Sequence, residues 1–275
     1  MGQARVKQRS TAEFVQNFPV CCLCGERPTA TREHMPPKAL FENKHRPDQL
    51  VMPACDECNR GTSTADLVVS VISRWGFEQT PYGQADHSKL ISQIRIQAPD
   101  VLREWEEAFT PTMQRRGQLH LKRQGLDLPP GTPLVTIGPL TVRHLNVFSH
   151  KVVLALYFEH FKRALSNDGR VQAFWRSKED FHHGIPLALI NIMGGYNKLV
   201  QGRWDTGKTF EYKFGTNVAD GMFGCFVRFR QGLYVLGFAV ENKDILSQND
   251  ALQDGGWLAP RDLLGPNPHF AKRQL

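Results

Sequence analysis

Cys21-Cys22-Leu23-Cys24, then Arg32-Glu33-His34-Met35-Pro36-Pro37-Lys38, then Cys55-Asp56-Glu57-Cys58-Asn59 is the stretch on which the reading of this chain turns. Two Cys-x-x-Cys pairs in this spacing suit a closed tetrahedral zinc site, which takes four thiolates and leaves no position open. Such a knot clamps the segment between residues 24 and 55 into a loop. It draws Glu33, His34 and Asn59, which are distant in sequence, toward one place. Zinc is then the scaffold, and the chemistry sits beside it. Cys22 lies inside the first pair, but Cys21 keeps the two-residue gap to Cys24, so Cys21, Cys24, Cys55 and Cys58 are the expected zinc ligands. Cys22 and Cys225 read as small buried apolar residues.

Six cysteines in 275 residues are too few for a disulfide framework, and their pairing favours metal in a reducing compartment. The chain is 41% hydrophobic and 22% charged, as in an ordinary globular protein. No apolar run reaches the roughly 18–20 residues a membrane span needs, and Met1–Ser10 has no apolar signal core. The expected location is cytoplasmic. The net charge is +7, with 10 Lys/Arg against 9 Asp/Glu in residues 1–80 and 24 against 18 in residues 81–275. A polyanionic partner would therefore be held mostly from outside the cysteine module.

Four regions are expected: a basic arm at 1–18, the zinc module at 19–80, a helical and loop connector at 81–133, and an α+β domain at 134–275. Ser63–Trp75 is almost wholly apolar and predicts a buried helix capped by Thr62 or Ser63, with Asp66 in its first turn and Gly76 ending it. A more polar helix over 87–109 should bend at Pro99. Residues 110–133, rich in Pro and Gly, read as a loop whose Arg115, Arg116, Lys122 and Arg123 can track a phosphate backbone. A long helix is expected over 142–165, with His144, His150 and His160 in structural or surface roles, and His182 and His183 in a turn. Strands are expected at 186–193, 209–214, 225–230 and 233–240, with a tight hairpin at 230–233. Together they form an antiparallel sheet packed on the long helix, and the fold class is α+β.

The motif order over about residues 19–76 resembles the HNH endonuclease family in its zinc-stabilised, four-cysteine branch. The resemblance implies a β-hairpin followed by a helix with a catalytic ion between them (the ββα-metal fold). It implies that His34 is the general base activating water, and that Glu33 and Asn59 hold a divalent ion, Mg²⁺ or Mn²⁺. Ser63 stands where many relatives have a third ligand, usually His, and would be a weak one; no match for the family's middle Asn occurs among Asp48, Gln49 and Leu50. The implied reaction is hydrolysis of phosphodiester bonds in DNA, with RNA the alternative left open. Lys38 and Arg60 are placed to steady a phosphate. Cutting both strands from one such site per chain is easiest from a homodimer. The competing reading is a non-catalytic, zinc-stabilised nucleic-acid-binding protein.

Overall fold

The computed structural model describes residues 11–41, 50–75, 81–107, 110–123, 125–128, 131–132, 134–177, 180, 200–201, 209–217, 221–230, 232–247 and 256–265. A short helix, α1 (residues 11–17), leads into the first cysteine pair. Strand β1 (Thr31–His34) pairs antiparallel with β2 (Val51–Ala54), and α2 (Asp56–Ile72) follows directly. Two further helices, α3 (Pro81–Gln97) and α4 (Pro99–Glu106), meet at Pro99, which occupies the first turn of α4. There its missing N–H costs nothing. Next come α5 (Pro111–Arg123) and α6 (Pro139–Phe161). The remaining strands are β3 (Arg170–Ser177), β4 (Val200–Gln201), β5 (Phe210–Asn217), β6 (Met222–Phe229) and β7 (Leu233–Val240). They form one antiparallel sheet in the order β3-β7-β6-β5-β4. The fold is mixed, with helices and two antiparallel sheets, as an α+β chain should be.

Helix α6 organises the whole. Nearly every residue from Leu145 to Glu159 is buried, because one side packs on α2 and the other on β3, β6 and β7. The sheet comes closest at Gly237, where an added Cβ would collide with the Val153 side chain. A large apolar core therefore runs from Cys21–Leu23 through Val68, Phe148 and Val153 to Phe229 and Leu263, and Leu236 and Phe238 form a smaller cluster of their own. The region of the cysteine pairs and the C-terminal sheet share the large core. The start of α6 is capped from outside: Glu104 of α4 accepts the backbone N–H groups of Leu140 and Thr141 at 2.9 Å each, and its neighbour Trp105 donates to the Thr141 hydroxyl. These are orphan donors of the first turn, and a carboxylate there also faces the positive end of the helix dipole.

Several boundaries differ from the sequence reading. Helix α2 starts at Asp56, one residue after its cap Cys55, rather than at Ser63. The thiol sulfur of Cys55 accepts from the Cys58 N–H, so the second cysteine pair is itself the helix start. Thr62 lies inside the helix, its hydroxyl bonded to the Cys58 carbonyl at 2.9 Å. Residues 111–123 are helical, not loop. Residues 11–17 of the expected arm are helical too, and the following Phe18 stacks edge-on against Phe158 of α6. Neither β3 nor β4 falls in an expected strand. The hairpin at 230 is present, with Phe229 opposite Leu233 and Arg230 in the left-handed region at φ 53°. The expected strand at 186–193, the turn histidines His182 and His183, and Gly76, Asp48 and Gln49 lie outside the described residues.

Candidate metal centre and hairpin face

The four expected sulfurs converge. One Sγ from each of Cys21, Cys24, Cys55 and Cys58 lies within 4.8 Å of the other three, and all four side chains are buried. A zinc ion with bonds of about 2.3 Å would hold tetrahedral sulfurs about 3.8 Å apart, so a small contraction closes the site. The surrounding backbone is built for anionic sulfur. The Arg27 N–H points at Cys24 Sγ (3.5 Å) and the Cys58 N–H at Cys55 Sγ (3.4 Å). The Arg27 guanidinium adds Nη1 contacts of 3.8 Å to Cys58 and 4.0 Å to Cys55, and is tied to Glu57 at 3.1 Å. The turn after the first pair needs Gly25: its φ is 68°, and a Cβ there would strike the Leu165 carbonyl.

Hydrogen bonding among the sulfurs drives their proton affinities apart. The Cys24 thiol is held far below the ordinary thiol range by bonds from Cys21 and Cys58. Cys58 is driven far up by its bonds to Cys21 and Cys24, and Cys21 is pushed up to about 11, first by its bond to Cys24. Four thiolates become stable together only around a cation, and the donor set is the soft one that zinc takes. Burial drives up the thiols of Cys22 and Cys225, which are fully enclosed and apolar in role, as expected.

Above this centre lies the hairpin. Alternation along β1 sets Thr31 and Glu33 on the face toward α2, with Arg32 and His34 on the other. The pattern is visible in the contacts. Asn59, in the first turn of α2, donates its amide to the Thr31 hydroxyl at 3.0 Å, while the Arg32 guanidinium sits over the Phe14 ring. Glu33 and Asn59 thus share a face. His34, half-buried, is the last residue of β1 and stands at the rim of the hairpin. The turn beyond it is anchored through carbonyls: Arg74 donates to Ala39 at 2.8 Å and Arg230 to Leu40 at 2.9 Å.

Glu33 has a partner that the sequence reading missed. Lys151 of α6 is wholly buried and its ammonium lies 2.7 Å from Glu33 Oε1 and 2.7 Å from Asp66 Oδ2. Burial alone would push the Lys151 ammonium down, yet Asp66 and Glu33 hold it above the ordinary lysine range. Asp66 is raised to about 6, because burial outweighs the attraction of Lys151 and Glu33 adds repulsion. The available signal was a lysine at the head of the apolar run Val152–Phe158, together with an Asp two helical turns beyond Asn59. Asp66, read as a first-turn residue, belongs to the middle of α2.

The second, catalytic ion fits less well than zinc. Carboxylate and amide oxygens on one face are the right kind of donor for Mg²⁺ or Mn²⁺, but the Glu33 carboxylate is already engaged by the Lys151 ammonium. Ser63 is exposed and donates to the Arg60 carbonyl at 2.7 Å, along its own helix and not toward an ion. Lys38 and Arg60 are exposed near the hairpin and the start of α2, Arg60 with Asp56 at 3.7 Å. Arg115 and Arg116 are exposed on α5. His150 bonds the Asn146 carbonyl at 2.8 Å, and His160 stacks on Phe214 with ring centres 3.6 Å apart, which bears out structural roles for both.

These observations define a mixed α/β protein whose β-hairpin and helix are set on a four-cysteine centre able to hold a metal such as zinc. Compared with family models, curated proteins and solved structures, the chain matches none. No helix among the described residues is long and apolar enough to cross a membrane.

Proposed function

We propose that this protein is an HNH-like phosphodiester hydrolase acting on nucleic acid, DNA foremost, with zinc at Cys21, Cys24, Cys55 and Cys58 as its structural core. The observation that carries the reading is the order four-sulfur centre, antiparallel hairpin, helix, with His34 closing the first strand and Asn59 in the first turn of the helix. A neutral imidazole at the rim of a hairpin can accept a proton from water as that water attacks phosphorus. Lys38 and Arg60 would hold the phosphate by charge. A divalent ion, Mg²⁺ or Mn²⁺, would take Glu33 and Asn59 as ligands and supply charge stabilisation at the phosphate. Glu33 would have to share its carboxylate between that ion and Lys151.

Two observations favour a second reading, a zinc-stabilised binding protein without hydrolysis: Lys151 already engages Glu33, and alternation along β1 turns His34 to the face opposite Glu33. Incubation of zinc-loaded protein with supercoiled, linear, branched and single-stranded substrates in Mg²⁺ or Mn²⁺ separates the two. Cleavage that disappears in His34→Ala supports the hydrolase; binding without cleavage on every substrate supports the second reading.

A further inference from the structure

Helix α5 offers a surface that nothing in the hairpin accounts for. None of its side chains is buried, and it carries Arg115, Arg116, Lys122 and Arg123 without one acidic residue. Its inner side is fixed by polar bonds. Gln114 donates to the Leu134 carbonyl at 2.7 Å and accepts the Leu134 N–H at 2.8 Å, and Gln118 reaches the Thr132 carbonyl at 3.4 Å. Gly117 lies against the Leu134 side chain. At about 100° per residue, these anchors fix which way the other side faces. Arg116 and Arg123 form one outward row, and Arg115 and Lys122 a second row about a quarter-turn away. Each row repeats at seven residues, about 10 Å along the axis. Leu119, half exposed, projects between them.

We propose that α5 is a docking helix for duplex DNA and lies in the major groove, its two cationic rows on the flanking phosphate strands and Leu119 toward the groove floor. A helix about 10–12 Å across fits a groove about 12 Å wide. An apolar side chain between the rows meets thymine methyl groups, whereas an anionic bilayer would require a continuous apolar face that α5 lacks. The A-form major groove of duplex RNA is too narrow for the helix, which commits the surface to DNA. This deepens the nucleic-acid reading above and does not depend on hydrolysis.

The test is fluorescence anisotropy of the full zinc-loaded chain, in a His34→Ala background, on a labelled mixed-sequence DNA duplex across a series of salt concentrations. Changing Arg115, Arg116, Lys122 and Arg123 together to Gln should weaken binding at least tenfold. It should also lower the slope of log affinity against log salt by about 3.6, at about 0.9 per lost phosphate contact. Zinc content and melting should not change, since all four side chains are exposed. A charge-matched control, Lys89, Arg95, Arg103 and Lys243 changed to Gln, should bind like its parent, and duplex RNA should bind more weakly than DNA. Equal loss in both quadruple variants, an unchanged slope in the α5 variant, or preference for anionic vesicles over DNA would overturn the proposal. Failure here alongside His34-dependent cleavage leaves the hydrolase standing; loss of binding in a protein that never cuts leaves the docking surface standing.

Discussion

Replacing Lys151 with Met is the sharpest perturbation available, because it keeps the side-chain volume of a central α6 residue and removes only its charge. Lys151 is fully enclosed, and the side chains of Glu33 and Asp66 are each 13% exposed. Two carboxylates would remain side by side in a nearly dry site with no counter-ion. Removing one partner from a buried ion pair costs about 3–5 kcal/mol, since the charge left behind keeps its desolvation penalty. For a chain of this size about 2–4 °C of melting temperature corresponds to each kcal/mol. Lys151→Met should therefore melt about 6–20 °C lower at neutral pH. Neutralising the survivors, with Glu33→Gln and Asp66→Asn added to Lys151→Met, should recover most of the loss, because a neutral site no longer strands charge. The assay is urea and thermal unfolding of zinc-loaded protein in the three backgrounds. A shift below 2 °C in the single variant, or a triple variant less stable than the single one, would refute the claim that Lys151 holds two desolvated carboxylates together from α6.

Other outcomes follow from particular contacts. Cys55→Ser should lower zinc content measured by atomic absorption and make melting insensitive to a strong chelator, because metal binding supplies folding energy to such centres. Gly25→Ala should cost about 1–3 kcal/mol in urea unfolding, from its left-handed backbone and the collision with the Leu165 carbonyl. Burial lowers the His160 imidazole to about 4. The unfolded chain therefore takes up a proton from about pH 6.5 downward that the folded protein refuses until about pH 4, and stability falls as pH falls through that window. His160→Phe should flatten stability against pH between those limits; an unchanged profile would show that the ring is not held neutral.

The sequence reading reached the sulfur centre because four cysteines at fixed short spacing can satisfy a tetrahedral ion in few other ways. Alternation and turn residues likewise disclosed β5, β6 and β7. It misplaced the start of α2, since the apolar run begins at Ala65 while the cap is Cys55, whose sulfur was reserved in that reading for metal alone. Residues 111–123 looked like loop because Pro111 and Gly117 weigh against a helix on propensity. In the structure Pro111 takes the first turn, where it does no harm, and Gly117 makes room for Leu134. The Glu33–Lys151–Asp66 triad was the least legible feature. It joins residues 118 positions apart, and only the packing of α6 against both the hairpin and α2 brings them together. Local pattern carries no such information.

The most direct test of His34 as general base is supercoiled plasmid DNA incubated with zinc-loaded protein and Mn²⁺, comparing nicking rates of the natural chain and His34→Ala at equal zinc content and equal melting temperature. Loss of a general base predicts a rate lower by about 100-fold or more in the variant. Equal rates in the two proteins, or no nicking by either, would contradict the hydrolytic role assigned to His34.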